Sequence, residues 1–219
     1  MKAPRPSLAE LPEEFPVFPL SGALLLPGGR LPLNIFEPHY LALVEDSLGA
    51  GRMFGMVQPD KRLSVGKAGP GLYRTGCLGR ISSFSEAEDA RYLITLTGLI
   101  RYSIVQELPG RRGYRRVRAA LAGFSADLEQ APPMDMERSH LLTALKLYFA
   151  HAGVDVNWEV IDAMPDSALV TTLCMACPFD PEEKQALLEA PNLPERARVL
   201  LATLQINAFD DRDTKPKAS

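Results

Sequence analysis

Apolar positions along this chain follow two different periods. Between Phe15 and Leu33 short apolar pieces are cut by Pro16, Pro19, Pro27 and Pro32. Each proline holds φ at about −65° and removes a backbone donor, which predicts extended pieces joined by turns. "FPVFPL" and "ALLLPGGRLPL" read as two strands, with Pro27-Gly28-Gly29 as the turn between them. Helical spacing follows: Tyr40, Leu41, Val44 and Leu48 share one face, Pro38 opens the helix, and Gly49 and Gly51 end it. From Arg52 to Leu121 the period is that of strands. "RMFGMVQP" precedes a polar, Gly-rich connection, then come "GLYRTGCLGRISSF", "ARYLITLTGLIRYSIVQEL" and "GYRRVRAAL". Tyr92, Ile94 and Leu96 alternate with Leu93, Thr95 and Thr97, and both rows carry apolar members. Strands of that kind pack on both sides, as in a small closed barrel. Gly98 marks a bulge or bend, and "SEAEDA" a polar hairpin loop.

The period changes after "SADLEQAPPMDME", a Pro-containing acidic stretch read as a linker. Leu141, Leu142, Leu145 and Tyr148 then recur at helical spacing, and the segments 157–164 and 167–176 continue it between Pro165 and Pro178. Two later helices carry start signals. Asp180 precedes Pro181 with Glu183 three residues on, and Asn192 stands three residues before Glu195. The resulting division is a flexible tail at 1–14, a β-rich domain at 15–124, a linker at 125–135, a helical domain at 136–208 and a disordered tail at 209–219.

Composition narrows the classes. The 219 residues are 46% hydrophobic and 23% charged, with a net charge of −3, which offers no global attraction for nucleic acid or anionic membrane. No apolar run approaches the ~20 residues of a membrane span, and the N-terminus lacks a signal-peptide core. Three cysteines, an odd number, suit a reducing compartment. The expected location is the cytoplasm.

Four motifs invite chemistry. Glu37 and His39 form a possible acid–base pair, but Pro38 makes this the start of a helix, where Glu37 is a favourable N-terminal charge. His39 falls off the apolar stripe and is expected in solvent. No HxH or HxxxH ligand spacing exists, His140 and His151 included, so no metal is expected. Cys174 and Cys177 form a CxxC at a helix's end rather than its start, where the dipole raises thiol pKa; buried core thiols are expected. "VGKAGPG" lacks the Ser or Thr that must follow Lys67 in a phosphate-binding loop, and no GxSxG elbow occurs. No catalytic residue and no cofactor are therefore assigned. "RRGYRRVR" places Arg111, Arg112, Arg115, Arg116 and Arg118 around Tyr114, a candidate RNA contact. Its plainer reading is a hairpin with a basic solvent row offset by nearby carboxylates.

The stretch "FPVFPLSGALLLPGGRLPLNIFEPHYLALVEDSL" resembles the N-terminal substrate-recognition domain of Lon ATP-dependent proteases. That family opens with a "PLFPL" strand, an "LFPG" turn and "LPLxIFEPRYxxLV". Phe18-Pro19-Leu20, Leu26-Pro27-Gly28, Leu31-Pro32-Leu33, Ile35-Phe36-Glu37-Pro38, Tyr40 and Leu43-Val44 match it. "MFGMV", Gly76 to Ile81, Leu96 to Arg101 and "CPFDPEEKQALLEAPNLPERARVLL" resemble later parts of the pattern. The resemblance spans Phe15 to Leu204 and implies an α+β fold, a PUA-like β pseudo-barrel followed by a C-terminal helical bundle. Neither the ATPase module nor the Ser-Lys protease domain of Lon is found in the 219 residues.

The resemblance implies a non-catalytic module that binds unfolded or degron-bearing polypeptides in a cleft between barrel and helices. Full-length Lon is a further candidate partner, and neither membrane nor nucleic acid is the expected one. Candidate peptide contacts are Phe36, Tyr40, Met53, Met56 and Phe84, although core packing is the simpler role for each. The alternative is an RNA-binding PUA-like module using residues 111–118. A third class, an enzyme with Glu37 as general base, has no nucleophile or cofactor beside it.

Overall fold

In the computed structural model, which describes residues 6–66, 69–88, 90–129 and 137–209, six strands and six α-helices follow one another. The strands are β1 (Glu14–Pro19), β2 (Arg30–Ile35), β3 (Met53–Val57), β4 (Thr75–Glu86), β5 (Tyr92–Arg111) and β6 (Tyr114–Ala120). Helix α1 (Pro38–Gly49) lies between β2 and β3. The rear is helical: α2 (Arg138–Ala152), α3 (Trp158–Ala163), α4 (Asp166–Ala176), α5 (Pro181–Glu189) and α6 (Leu193–Ala208). The α+β class expected from the sequence is the one observed.

The sheet order is β2-β5-β4-β3-β1-β6, and β6 pairs back onto β5, so five strands close into a small barrel while β2 stays at the edge. One strand makes this possible. The first half of β5 pairs with β2 and β4, and its second half pairs with β6. The change of direction falls at Gly98: Leu78 opposes Ile100 while Gly79 opposes Gly98, which leaves Leu99 as an extra residue. Gly98 also lets another part of the chain approach. Its N–H and carbonyl bond to Gly29 and Gly28, and a Cβ there would overlap the Leu26 carbonyl oxygen.

That approach explains one departure from the sequence reading. "ALLLPGG" is not a strand. Leu24, Leu25 and Leu26 are buried, but they run as irregular backbone laid across the sheet, and β2 begins only at Arg30. An apolar run reports burial, and burial here is achieved without a ladder. The face of α1 differs too. Ala42, Leu43, Val44 and Ser47 are buried, whereas Tyr40, Leu41 and Leu48 sit at its margin. Helix α1 is thus rotated toward Leu43, and the Ser47 hydroxyl is satisfied by donating to the Leu43 carbonyl at 2.7 Å.

The local signals at the rear were legible. Asp180 and Glu183 form a capping box on α5, and the Asn192 side chain accepts from the Glu195 N–H at 2.9 Å to start α6. The turn between β5 and β6 has positive φ at Arg112 and Gly113, the backbone of a primed two-residue hairpin. Leu8–Glu10 form a 3-10 turn within the segment expected as a tail, and Leu11 beyond it is buried. Ala122–Leu128 form 3-10 turns that enter the expected linker; its remainder, like most of the C-terminal tail, lies outside the described residues.

Two apolar clusters fill the structure. Phe15, Val17, Leu78, Ile100, Tyr102 and Val117 occupy the barrel. The larger cluster joins the other side of the sheet (Phe54, Met56, Ile81, Ile94, Leu96) to the helices through Leu145, Leu169, Leu173 and Leu200. The interface between sheet and helices is therefore packed core.

Candidate functional site

The three-stranded part of the sheet, β2-β5-β4, has two unlike faces. Alternation along β5 sends Ile94 and Leu96 inward, opposite Leu33 and Leu31 on β2, into the larger apolar cluster. Leu93, Thr95 and Thr97 point the other way. Register aligns them with Asn34, Pro32 and Arg30 on one side and Ser85, Ser83 and Arg80 on the other. This face is open: Arg30, Pro32, Asn34, Ser83, Ser85 and Leu93 are all exposed. Hydroxyls occupy its middle, where Thr97 donates to the Ser82 hydroxyl at 2.9 Å and Ser82 donates to the Thr95 carbonyl at 3.0 Å.

The apolar end of the sheet carries two of the expected contacts. Phe36, directly after β2, is 62% exposed, and Leu93, opposite Asn34, is 47% exposed. Phe84 is 37% exposed at the rim and packs on the Tyr92 ring, with centroids 5.1 Å apart. The Tyr92 hydroxyl in turn donates to Glu45 on α1 at 3.2 Å. Phe36 is thus a surface residue and not the core residue that its place between strand and helix suggests. Leu93 was not singled out by sequence; its alternation with Ile94 was visible, but only the register showed that its row is uncovered.

The other expected contacts lie elsewhere. Met53 is buried beside the barrel cluster and Met56 in the larger one. Tyr40 is half-buried on α1, stacked on Phe18 with centroids 4.0 Å apart, and its hydroxyl reaches the Pro19 carbonyl at 3.4 Å. Burial raises its pKa, with the Glu37 charge adding to the effect. His39 is half-buried, its Nε2 3.5 Å from the Glu37 carboxylate and its ring against Tyr40. Its Cβ faces Gly113 of the hairpin, so it packs rather than standing free in solvent.

The five arginines of the β5–β6 hairpin are all matched by carboxylates. Arg111 and Arg112 reach Asp46 at 3.2 and 2.9 Å, and Arg112 also reaches Glu45 at 2.7 Å. Arg115 pairs with Glu107 at 2.7 Å, and Arg116 and Arg118 lie 3.7 and 2.6 Å from Glu14. The Tyr114 hydroxyl donates to Asp46 at 2.6 Å and, with Arg112, holds that carboxyl below the usual range. Such a neutralised strand offers little potential to a phosphate backbone. A shallow depression of about 240 Å³ adjoins it, lined by Ser64, Gly66, Pro70 and Gly71, but Arg115 within it is committed to Glu107 and the Pro70 carbonyl.

Cys174 and Cys177 are buried free thiols, and burial pushes each up to about 12. Cys77 is likewise buried and free, with its pKa raised by desolvation. Among the described residues no group of three or more His, Cys, Asp or Glu side chains is placed to hold a metal. No helix of these residues is long and apolar enough to cross a membrane.

A residue the motif search passed over organises the interior. Arg101 on β5 is 3% exposed and makes a two-pronged contact with Asp127 at 2.8 and 2.9 Å. Its remaining N–H groups donate to the carbonyls of Leu188, Ala190 and Pro191, between α5 and α6. Barrel, 3-10 segment and helices therefore meet on one guanidinium.

Comparison with known proteins agrees with this architecture. The family model of the ATP-dependent protease La (LON) substrate-binding domain matches residues 14–205. Lon protease 2 of Myxococcus xanthus is 25% identical over 89% of this chain, and the Lon protease of Anaeromyxobacter dehalogenans is 24% identical over 89%. The matches span only 24% and 23% of those two relatives. Among solved structures, a Lon N-terminal domain protein from Xanthomonas campestris superposes with a TM-score of 0.60 at 22% identity, covering 86% of this chain and 97% of that one. The N-terminal domain of a Mycobacterium avium complex Lon protease gives 0.59 at 19% identity, covering 87% and 97%. The PUA-like barrel and helical rear expected from the sequence thus have counterparts in solved Lon N-terminal domains, and the chain belongs to the LON substrate-binding domain family.

Proposed function

We propose that this chain binds polypeptides without transforming them, and that unfolded or degron-bearing segments dock on the open face of β2-β5-β4. The observation that carries the reading is the apolar end of that face. Phe36 and Leu93 are large and exposed there, on a sheet whose opposite face is buried, while Phe84, opposite Ile94, belongs to the other row and stands at the rim. Large apolar side chains grouped at a surface mark interaction sites more often than isolated ones do. The edge strand β2 carries Pro32, which interrupts ladder pairing along its free side, so side chains rather than strand addition supply the affinity. Membership of a family defined by substrate binding supports the same reading, with a Lon protease as a further partner.

The test is a titration with fluorescein-labelled, reduced and carboxymethylated α-lactalbumin, an unfolded protein. Saturable binding is expected. A Phe36→Ser, Leu93→Ser double variant is expected to weaken it by roughly tenfold or more, as loss of central apolar anchors does. Arg112→Gln, away from the face, is expected to leave it unchanged. Unsaturable binding at high micromolar protein, or indifference to the double variant, would overturn the proposal.

A further inference from the structure

The open face ends, away from Phe36, on two arginines, Arg30 and Arg80. Arg62, Arg101, Arg138, Arg198 and the five of the hairpin each contact a carboxylate. Among the described residues Arg30 and Arg80, like Arg52, Arg74 and Arg196, have none within ion-pair distance, and of these only Arg30 and Arg80 lie on the open face. Register puts them on either side of Thr97 in a single cross-strand row, since Thr97 opposes Arg30 on β2 and Arg80 on β4. Strand spacing sets their backbones about 10 Å apart. Arg80 also carries an orphan: its Nε is buried with no hydrogen-bond partner. The guanidinium's recorded neighbour is the Met53 sulfur, 4.0 Å from Nη2. Glu10 feels the charge of Arg80 at longer range, but its carboxylate is held by the Ser7 N–H and hydroxyl. A buried donor left unmade is costly, and the Arg80 guanidinium is left without a carboxylate among the described residues.

We infer that the face selects acidic polypeptide segments, with Arg30 and Arg80 holding carboxylates while Leu93 and Phe36 hold an apolar side chain. The inference rests on the docking face proposed above and adds the charge of its ligand. Thr97 and Leu93 are separated by four residues along β5, about 14 Å in an extended strand. An extended segment lying along β5 therefore presents its acidic residue about four positions from its apolar one. Charge complementarity favours a carboxylate-bearing chain over nucleic acid. Two cations beside a row of hydroxyls suit one or two carboxylates, whereas a phosphate backbone is bound by a longer row of cations.

The experiment uses the full chain and two fluorescein-labelled, unstructured peptides. Each carries Leu and Phe at one end, followed four positions on by Asp-Asp in one peptide and Asn-Asn in its twin. At low salt the Asp peptide is expected to bind about tenfold tighter. That preference is expected to disappear in Arg30→Glu and in Arg80→Gln, while the Asn twin binds all three proteins alike. Equal affinity for the twins overturns the selectivity and leaves the docking face standing. Absence of saturable binding by either twin, with lactalbumin binding lost as well, overturns the face and the selectivity together. Binding of poly(U) more tightly than the Asp peptide, lost in the same variants, assigns the arginines to nucleic acid and overturns the inference. Thermal melts accompany Arg80→Gln because Arg80 is partly buried; Arg30, exposed on the edge strand, carries the test by itself if that variant fails to fold.

Discussion

At the scale of single residues, enclosure sorts side chains of one type into unlike roles. Phe54 on β3 is fully enclosed in the cluster that joins sheet to helices, while Phe36 stands in solvent at the end of β2. Phe54→Ala is expected to cost about 3–5 kcal/mol, because the lost transfer energy is joined by a cavity. Phe36→Ala is expected to change stability by no more than about 0.5 kcal/mol, as exposed substitutions do. Urea denaturation of the two variants checks the contrast, and similar losses in both would contradict the placement of Phe36. The sequence places both phenylalanines beside strands, so local pattern alone does not separate them. What separates them is which row of the sheet the helices cover. The thiols were readable in advance: a CxxC at a helix's end, before Pro178, has no dipole to activate it, and both sulfurs are buried.

At the scale of elements, β5 is the piece on which the barrel depends. It serves two neighbourhoods, and the hand-over occurs where Leu99 is left unpaired and Leu26 crosses Gly98. A methyl group at Gly98 meets backbone atoms rather than a flexible side chain, so it cannot be relieved by a rotamer change. Gly98→Ala is therefore expected to destabilise the protein by roughly 1–3 kcal/mol, whereas Gly123→Ala, with nothing within 4 Å, is expected to be tolerated. Thermal unfolding of the pair measures the difference; equal melting temperatures would count against the close approach. The bend at Gly98 was legible from a glycine within a long strand pattern. The partner that makes glycine necessary was not, because Leu24–Leu26 reads equally well as a strand. Capping signals at Asp180 and Asn192 were legible because they act within three residues, with no need for the rest of the fold.

At the scale of the whole molecule, Arg101 and Asp127 tie barrel to helices. Both are nearly enclosed, and the guanidinium supplies donors to three carbonyls at the α5–α6 junction. Removing it leaves a buried carboxylate unpaired and those carbonyls short of donors. Arg101→Ala is expected to cost about 3–5 kcal/mol. Denaturation followed by both tryptophan fluorescence, from Trp158 on α3, and circular dichroism is the measurement. A loss below about 1 kcal/mol would contradict the tie. The sequence by itself determined the α+β class, the barrel-then-helices order, the α5 and α6 caps and the family resemblance. Each of these depends on periodicity or on groups a few residues apart. Tertiary structure alone decided which face of β2-β5-β4 stays open, that Phe36 and Leu93 lie on it, and which arginines are already neutralised. Those outcomes depend on register between strands distant in the chain and on where the helices pack, and a one-residue shift of register would exchange every buried row for its exposed neighbour.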